Sequence, residues 1–100
     1  MAVKEHLQHV NGTKKGDITL YALSTCGWCL KTKGLLNNLK VDYSYLDVDT
    51  LQGTDREEAL GEIRKWNPKC SFPTMVINNK TCIVGFKEDE VREILGHAGK

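Results

Sequence analysis

No stretch of the 100-residue chain approaches the ~18 consecutive apolar residues that a membrane-spanning helix requires. One-sided charge is missing too. Lys and Arg total 14 against 13 Asp and Glu, a formal net charge of +1, which gives no basic field for nucleic acid or for a membrane surface. Partners must therefore be argued from a site. The segment Met1 to Val10 lacks the apolar stretch of a signal peptide and carries Lys4, Glu5, His6 and His9 instead. The expected location is cytoplasmic, where structural disulfides are rare. Internal repeats and low-complexity runs are also absent. At this length there is room for one hydrophobic core, and 40% apolar with 27% charged residues is ordinary for a globular chain and argues against disorder.

What is present is cysteine in an uneven distribution. Cys26 and Cys29 form a C-x-x-C, whereas Cys70 and Cys82 stand alone. In a reducing compartment such a pair is catalytic or metal-binding more often than structural.

The chain reads as one alternating pattern. Asp17 to Leu23 (DITLYAL) is β-branched and aromatic, a strand set off by Gly16. A helical pattern follows, with Cys29, Leu36 and Leu39 on one face, Leu35 beside them, and Lys31, Lys33, Asn37 and Lys40 outward. Ser24 and Thr25 are its candidate caps. Val41 to Val48 forms a second strand. Thr54-Asp55-Arg56-Glu57 has the form of a capping box opening a helix with Ala59, Leu60, Ile63 and Trp66 at helical spacing, stopped near Pro68. Thr74 to Asn78 and Thr81 to Val84 flank Asn78-Asn79-Lys80, a hairpin turn. A last helix runs from about Glu88 to Gly96, with Val91, Ile94 and Leu95 inward. Upstream, Val3 to Val10 is a candidate extra strand, so residues 1–16 are read as an extension and 17–100 as the domain. The order β-α-β-α-β-β-α implies one parallel pair joined by a right-handed crossover and a terminal antiparallel hairpin. The expected fold is α/β: a mixed four-stranded sheet with helices on both faces.

A C-x-x-C between a strand and the helix of a βαβ unit suits disulfide exchange. The attacking species is a thiolate, and Cys26 falls at the helix N-terminus, where free N–H groups and the macrodipole favour an anion. Cys29 follows about one turn later, close enough to attack a mixed disulfide formed on Cys26. The competing reading is half of a zinc site completed by Cys70 and Cys82. Against it, those two cysteines form no second C-x-x-C, and zinc knuckles place their ligands in turns rather than at the start of an amphipathic helix. Pro73, in Ser71-Phe72-Pro73-Thr74, cannot donate to a ladder and belongs at a strand start or edge. It is either a loop terminator or a cis-Pro loop facing the cysteines.

With Leu20-Tyr21 before Cys26-Gly27-Trp28-Cys29, the Phe72-Pro73-Thr74 loop, the hairpin and Gly85-Phe86-Lys87, the chain resembles a glutaredoxin from about Asp17 to Leu95. The resemblance implies a thioredoxin-like fold and a dithiol oxidoreductase, with Cys26 as nucleophile and Cys29 as resolving thiol. It further implies a cis bond before Pro73 and substrate contacts from Phe72 and Pro73. Trp28 either covers the site or touches substrate, and Lys87 is a candidate for a carboxylate. Disulfide-containing proteins or small disulfides are the expected substrates, a thiol or a reductase the electron donor, and a monomer the expected state. No tightly bound cofactor or metal is expected, although a small thiol such as glutathione is a candidate co-substrate. Glutaredoxins often carry Lys three residues before the first Cys and Gly-Gly after the hairpin; here those positions read Leu23 and Gly85-Phe86. That form is closer to glutaredoxin-like redoxins of anaerobes and archaea, and of the type that serves ribonucleotide reductase. Gly27, in place of Pro, also resembles glutaredoxins that bridge a [2Fe–2S] cluster as dimers, which makes an iron–sulfur carrier the alternative function. Cys82 and Cys70 read as reduced thiols behaving as small buried hydrophobes, with Cys70 a candidate regulatory thiol because it lies three residues before Pro73.

Overall fold

The computed structural model describes residues 7–14, 16–69 and 71–96. Its centre is β2 (Ile18–Ala22), which runs parallel to β3 (Tyr43–Asp47) and antiparallel to β4 (Thr74–Ile77). β5 (Thr81–Val84) closes the hairpin with β4, and β1 (Gln8–Val10) adds an antiparallel strand on the outer side of β3. The sheet is thus five-stranded, in the order β1-β3-β2-β4-β5. The extra strand is present but covers only the end of the segment proposed for it; Met1 to His6 lie outside the described residues.

Alternation along β2 sorts the molecule into two layers. Ile18, Leu20 and Ala22 point to one face and pack with Cys29, Leu35 and Leu36 of α1 (Gly27–Leu39) and with Val91 and Leu95 near the C-terminal end. Tyr21 points to the other face, where it joins Leu46, Val76, and Ala59 and Ile63 of α2 (Gly53–Trp66). Helices therefore cover both faces, as the βαβ order requires. The final helix, α3 (Glu88–Val91), continues as a π-helix over Arg92–Gly96.

Several local expectations are corrected. α1 is capped by Cys26 itself, whose Sγ accepts from the Cys29 N–H, not by Ser24 or Thr25. Lys40 is exposed, as expected, but stands just past α1 as its left-handed cap (φ 57°), with its N–H returned to Asn37 O and the Val41 N–H to Leu36 O. α2 begins one residue before Thr54: Gly53 takes φ +57° at the entry, the cap position falls on Gln52, and the Thr54 hydroxyl is no longer placed to close a capping box. Ile94 is 39% exposed, because the wider winding after Val91 keeps Val91 and Leu95 on one face and swings Ile94 aside. The hairpin holds as expected, with Asn78 and Asn79 both at positive φ (55° and 56°), the twist a tight β-turn needs.

The lead into β3 is pinned by backbone. The Thr13 N–H donates to Lys40 O and the Asp42 N–H to Thr13 O, at 2.7 and 2.9 Å. Gly12 lies so close that an added Cβ would sit 2.5 Å from the Val41 carbonyl carbon, so only glycine fits there.

Candidate active site

Strand register decides what meets Cys26. Ala22, the last residue of β2, pairs with Asp47 at the end of β3, and Tyr21 pairs with Thr74 at the start of β4. Thr74 in turn pairs with Val84, the last residue of β5. One end of the sheet therefore gathers the Cys26 turn, the Phe72-Pro73 loop and Gly85-Phe86-Lys87. The Phe72–Pro73 bond is cis. Pro73 is buried, and its carbonyl accepts from the Gly85 N–H at 2.8 Å, which ties the two loops together. Cys26, Phe72 and Phe86 all pack partly buried against the core cluster that contains Cys29.

The two cysteines occupy different environments. Cys26 is half-buried at the tip of α1, 3.3 Å from the Cys29 N–H. Cys29 is fully buried, and its sulfur accepts from the Leu23 N–H at 3.5 Å. Burial, followed by the hydrogen bond with Cys26, pushes the Cys29 thiol up to about 12, opposed by the Leu23 N–H and by the charge of Lys33. Cys29 is thus held as a thiol while Cys26 faces outward.

Trp28, between the two cysteines in sequence, stands largely open to solvent. It is 57% exposed, with its ring stacked on Phe86 at 5.9 Å and the Lys31 ammonium 4.7 Å from its centroid. Phe86, standing where glutaredoxins often carry the second glycine, supplies the other ring of this stack. Lys87 is exposed, at the residue before α3, and its side chain makes no capping bond. Lys33, expected on a solvated face, is instead paired with Asp47 at 2.8 Å and lies over the Tyr45 ring. Cys82 is partly buried, which raises its thiol, and Cys70 lies outside the described residues. Among the described residues no three His, Cys, Asp or Glu side chains are grouped to hold a metal ion.

Two supports were not read from the sequence. Asp49 accepts from both the N–H and the hydroxyl of Ser24, at 2.8 and 2.5 Å, fixing the turn that delivers Cys26. Those bonds hold the Asp49 carboxyl below the usual carboxylate range. Behind the proline loop, the buried Asn67 side chain donates to Ser71 O, Ser71 Oγ and Thr74 Oγ1, and the Thr74 hydroxyl donates to Ser71 O at 2.7 Å. Asn67 sits beside Pro68 at the end of α2, a position the sequence marks only as a helix stop.

A C-x-x-C at a strand–helix junction, with a cis-proline loop at the same end of a mixed sheet, defines the thioredoxin-like class of redox proteins. Within that class the chain belongs to the glutaredoxin family, whose family model matches residues 18–82. It is similar to the crystal structure of the glutaredoxin from Methanosarcina mazei Go1, at 53% identity and TM-score 0.83, over 91% of this chain and 88% of that one. It is also similar to Methanosarcina acetivorans methanoredoxin, at 47% identity and TM-score 0.82, over 85% and 90% of the two chains. Glutaredoxin 1 of Rickettsia prowazekii is 32% identical over 62% of each chain, so the match spans less than two thirds of that relative. Among the described residues no helix is long and apolar enough to cross a membrane.

Proposed function

We propose that the chain is a dithiol thiol–disulfide oxidoreductase that reduces protein or small-molecule disulfides in a reducing compartment such as the cytoplasm. The observation that carries this reading is the asymmetry of the pair: one half-buried sulfur at a helix tip above one buried thiol. In the first step the Cys26 thiolate attacks a substrate disulfide. A Cys26–substrate S–S bond forms, the substrate S–S bond breaks, and the departing half leaves as thiolate. Bonded to substrate, Cys26 no longer carries charge, so its charge stops opposing ionisation of Cys29. Cys29 then loses its proton, which the departing thiolate or water takes up, and attacks Cys26 Sγ. The second substrate half leaves, and the dithiol has given up two electrons as a Cys26–Cys29 disulfide.

Phe72 and Pro73 supply the loop beside the incoming disulfide, the Trp28–Phe86 platform offers apolar contact, and Lys87 offers a free ammonium. No tightly bound cofactor takes part, and the working unit is the monomer. A thiol or a reductase returns the electrons. Leu23 points away from a glutathione role: it packs against the α2-side cluster and spends its N–H on Cys29. Glutathione is thus a weak donor, and a different small thiol or a reductase a better one. Anaerobic turnover of one model disulfide with glutathione, thioredoxin reductase and other small thiols tests this. Slow, non-saturating glutathione dependence is expected. Saturation at micromolar glutathione, lost in Lys87→Ala, would show a rebuilt glutathione site.

A further inference from the structure

Cys29 and α1 lie on one face of the sheet; the other face is only partly covered. α2 buries Ala59 and Ile63 there and ends at Trp66. Beyond its last turn a cavity of about 370 Å³ opens toward the hairpin end of the sheet, within the size range of small-molecule pockets. Its floor includes Thr19 and Ser44, which are register partners on adjacent strands, with Tyr21 and Val76 beside them. Trp66 supplies an aromatic wall.

Two features give this cavity a ligand chemistry. Carboxylates enter from three different elements: Asp17 ahead of β2, Asp42 ahead of β3, and Glu62 from α2. The dipole at the C-terminal end of α2 has the same sign, offset in part by Arg64 and Lys65 in its last turn. The present counter-charges are surface pairs, Lys14 with Asp17 at 3.7 Å and Lys65 with Glu62 at 3.2 Å, of a kind that contributes little and exchanges readily. His9 bridges Asp42 and Ser44 at 3.1 and 3.2 Å. Independently, Tyr21 is only 8% exposed, lines the cavity, and hydrogen-bonds no described residue through its phenol. Glu62 is close enough that its charge, after burial, holds the proton on that phenol. A phenol oxygen open to the cavity on an otherwise buried side chain, beside a carboxylate and walled by rings and methyls, suits an ammonium group on a methylene stem.

We propose that this cavity binds an alkylammonium group, either a short free diamine or a lysine side chain of another protein. The ammonium lies at Glu62 and the Tyr21 hydroxyl, and the stem lies against Trp66 and Val76. The site is separate from Cys26 and stands whether or not the redox reading holds. The test is a titration of the ¹⁵N-labelled reduced protein at fixed ionic strength, following the Trp66 indole N–H and the Thr19 and Ser44 amides. The probes are 1,5-diaminopentane, acetyl-Gly-Lys-Gly-amide, and 1-pentanol as a stem without charge. Saturable shifts are expected with an amine and none with pentanol, with affinity at least fivefold weaker in Glu62→Gln and in Tyr21→Phe. Saturation by the diamine alone identifies a free amine, and saturation by the peptide alone a protein lysine. Failure of both amines to saturate, or equal affinity in both variants, overturns the proposal. Glu62 is partly exposed, so Glu62→Gln keeps the test valid if Tyr21→Phe folds poorly.

Discussion

Thr74→Val isolates the polar network that holds the proline loop. The Thr74 side chain is fully buried, donates to Ser71 O at 2.7 Å and accepts from Asn67 Nδ2 at 3.2 Å. Valine keeps the branched shape and removes both bonds. The former partners are not orphaned, because Asn67 Nδ2 retains Ser71 O and Ser71 Oγ. The loss is therefore the net worth of two hydrogen bonds, about 1 kcal/mol each, without the larger penalty of a stranded buried group. A total of roughly 2 kcal/mol corresponds to about 8–16 °C in Tm for a domain of this size. Urea unfolding of the reduced protein measures it. Because Phe72 and Pro73 lie between the two anchored residues, disulfide turnover should fall several-fold while the alkylation rate of Cys26 stays unchanged. A loss below about 0.5 kcal/mol with full turnover would refute a positioning role for this network.

Other outcomes follow from the same geometry. Cys29 keeps its proton in the folded state up to about 12, while an unfolded cysteine releases it near ~8.5. Stability of the reduced protein is thus complete below the unfolded value and declines as pH rises toward the folded one; Cys29→Ser should make that decline shallower between about pH 8.5 and 10, with Cys82 and, toward pH 10, Tyr21 and Tyr43 still contributing. Asp49 is shifted the other way, so its share of stability is present above the ordinary Asp value of ~3.9 and lost as pH falls through its folded value. Ser24→Ala should move the Asp49 titration, followed by NMR, upward toward that ordinary value; an unmoved midpoint would contradict the assigned cause. Anaerobic reconstitution with iron and sulfide should leave no chromophore that survives gel filtration, and a stable one would favour the carrier reading.

The layered fold was legible because its signals are local and repeated: alternation in Asp17 to Leu23, helical spacing after Cys29, two asparagines at the hairpin. The cysteine pair was legible from spacing and resemblance together, whereas the cis bond before Pro73 came from resemblance, the spacing leaving a loop terminator equally open. What escaped was tertiary. Nothing near Ser24 in sequence announces that its partner is Asp49, 25 residues away, and a hydroxyl before a helix reads as a cap until Cys26 is seen to fill that position. Lys33 looked solvated because charge on a helix usually is, yet Asp47 at the end of the neighbouring strand draws it inward. Asn67 was overshadowed by Pro68, whose stop signal is stronger than the side-chain bonds that make Asn67 matter.

The division of labour between Cys26 and Cys29 is tested most directly by trapping. Each single variant, Cys26→Ser and Cys29→Ser, is mixed under anaerobic conditions with a peptide disulfide, and the intact mass is recorded before and after reduction. Cys29→Ser should accumulate one stable mixed disulfide located on Cys26, with no turnover beyond it. Cys26→Ser should give no adduct on Cys29 and no turnover near neutral pH, because the Cys29 thiol is buried and protonated. An adduct that forms on Cys29 as fast as on Cys26 would contradict the assignment.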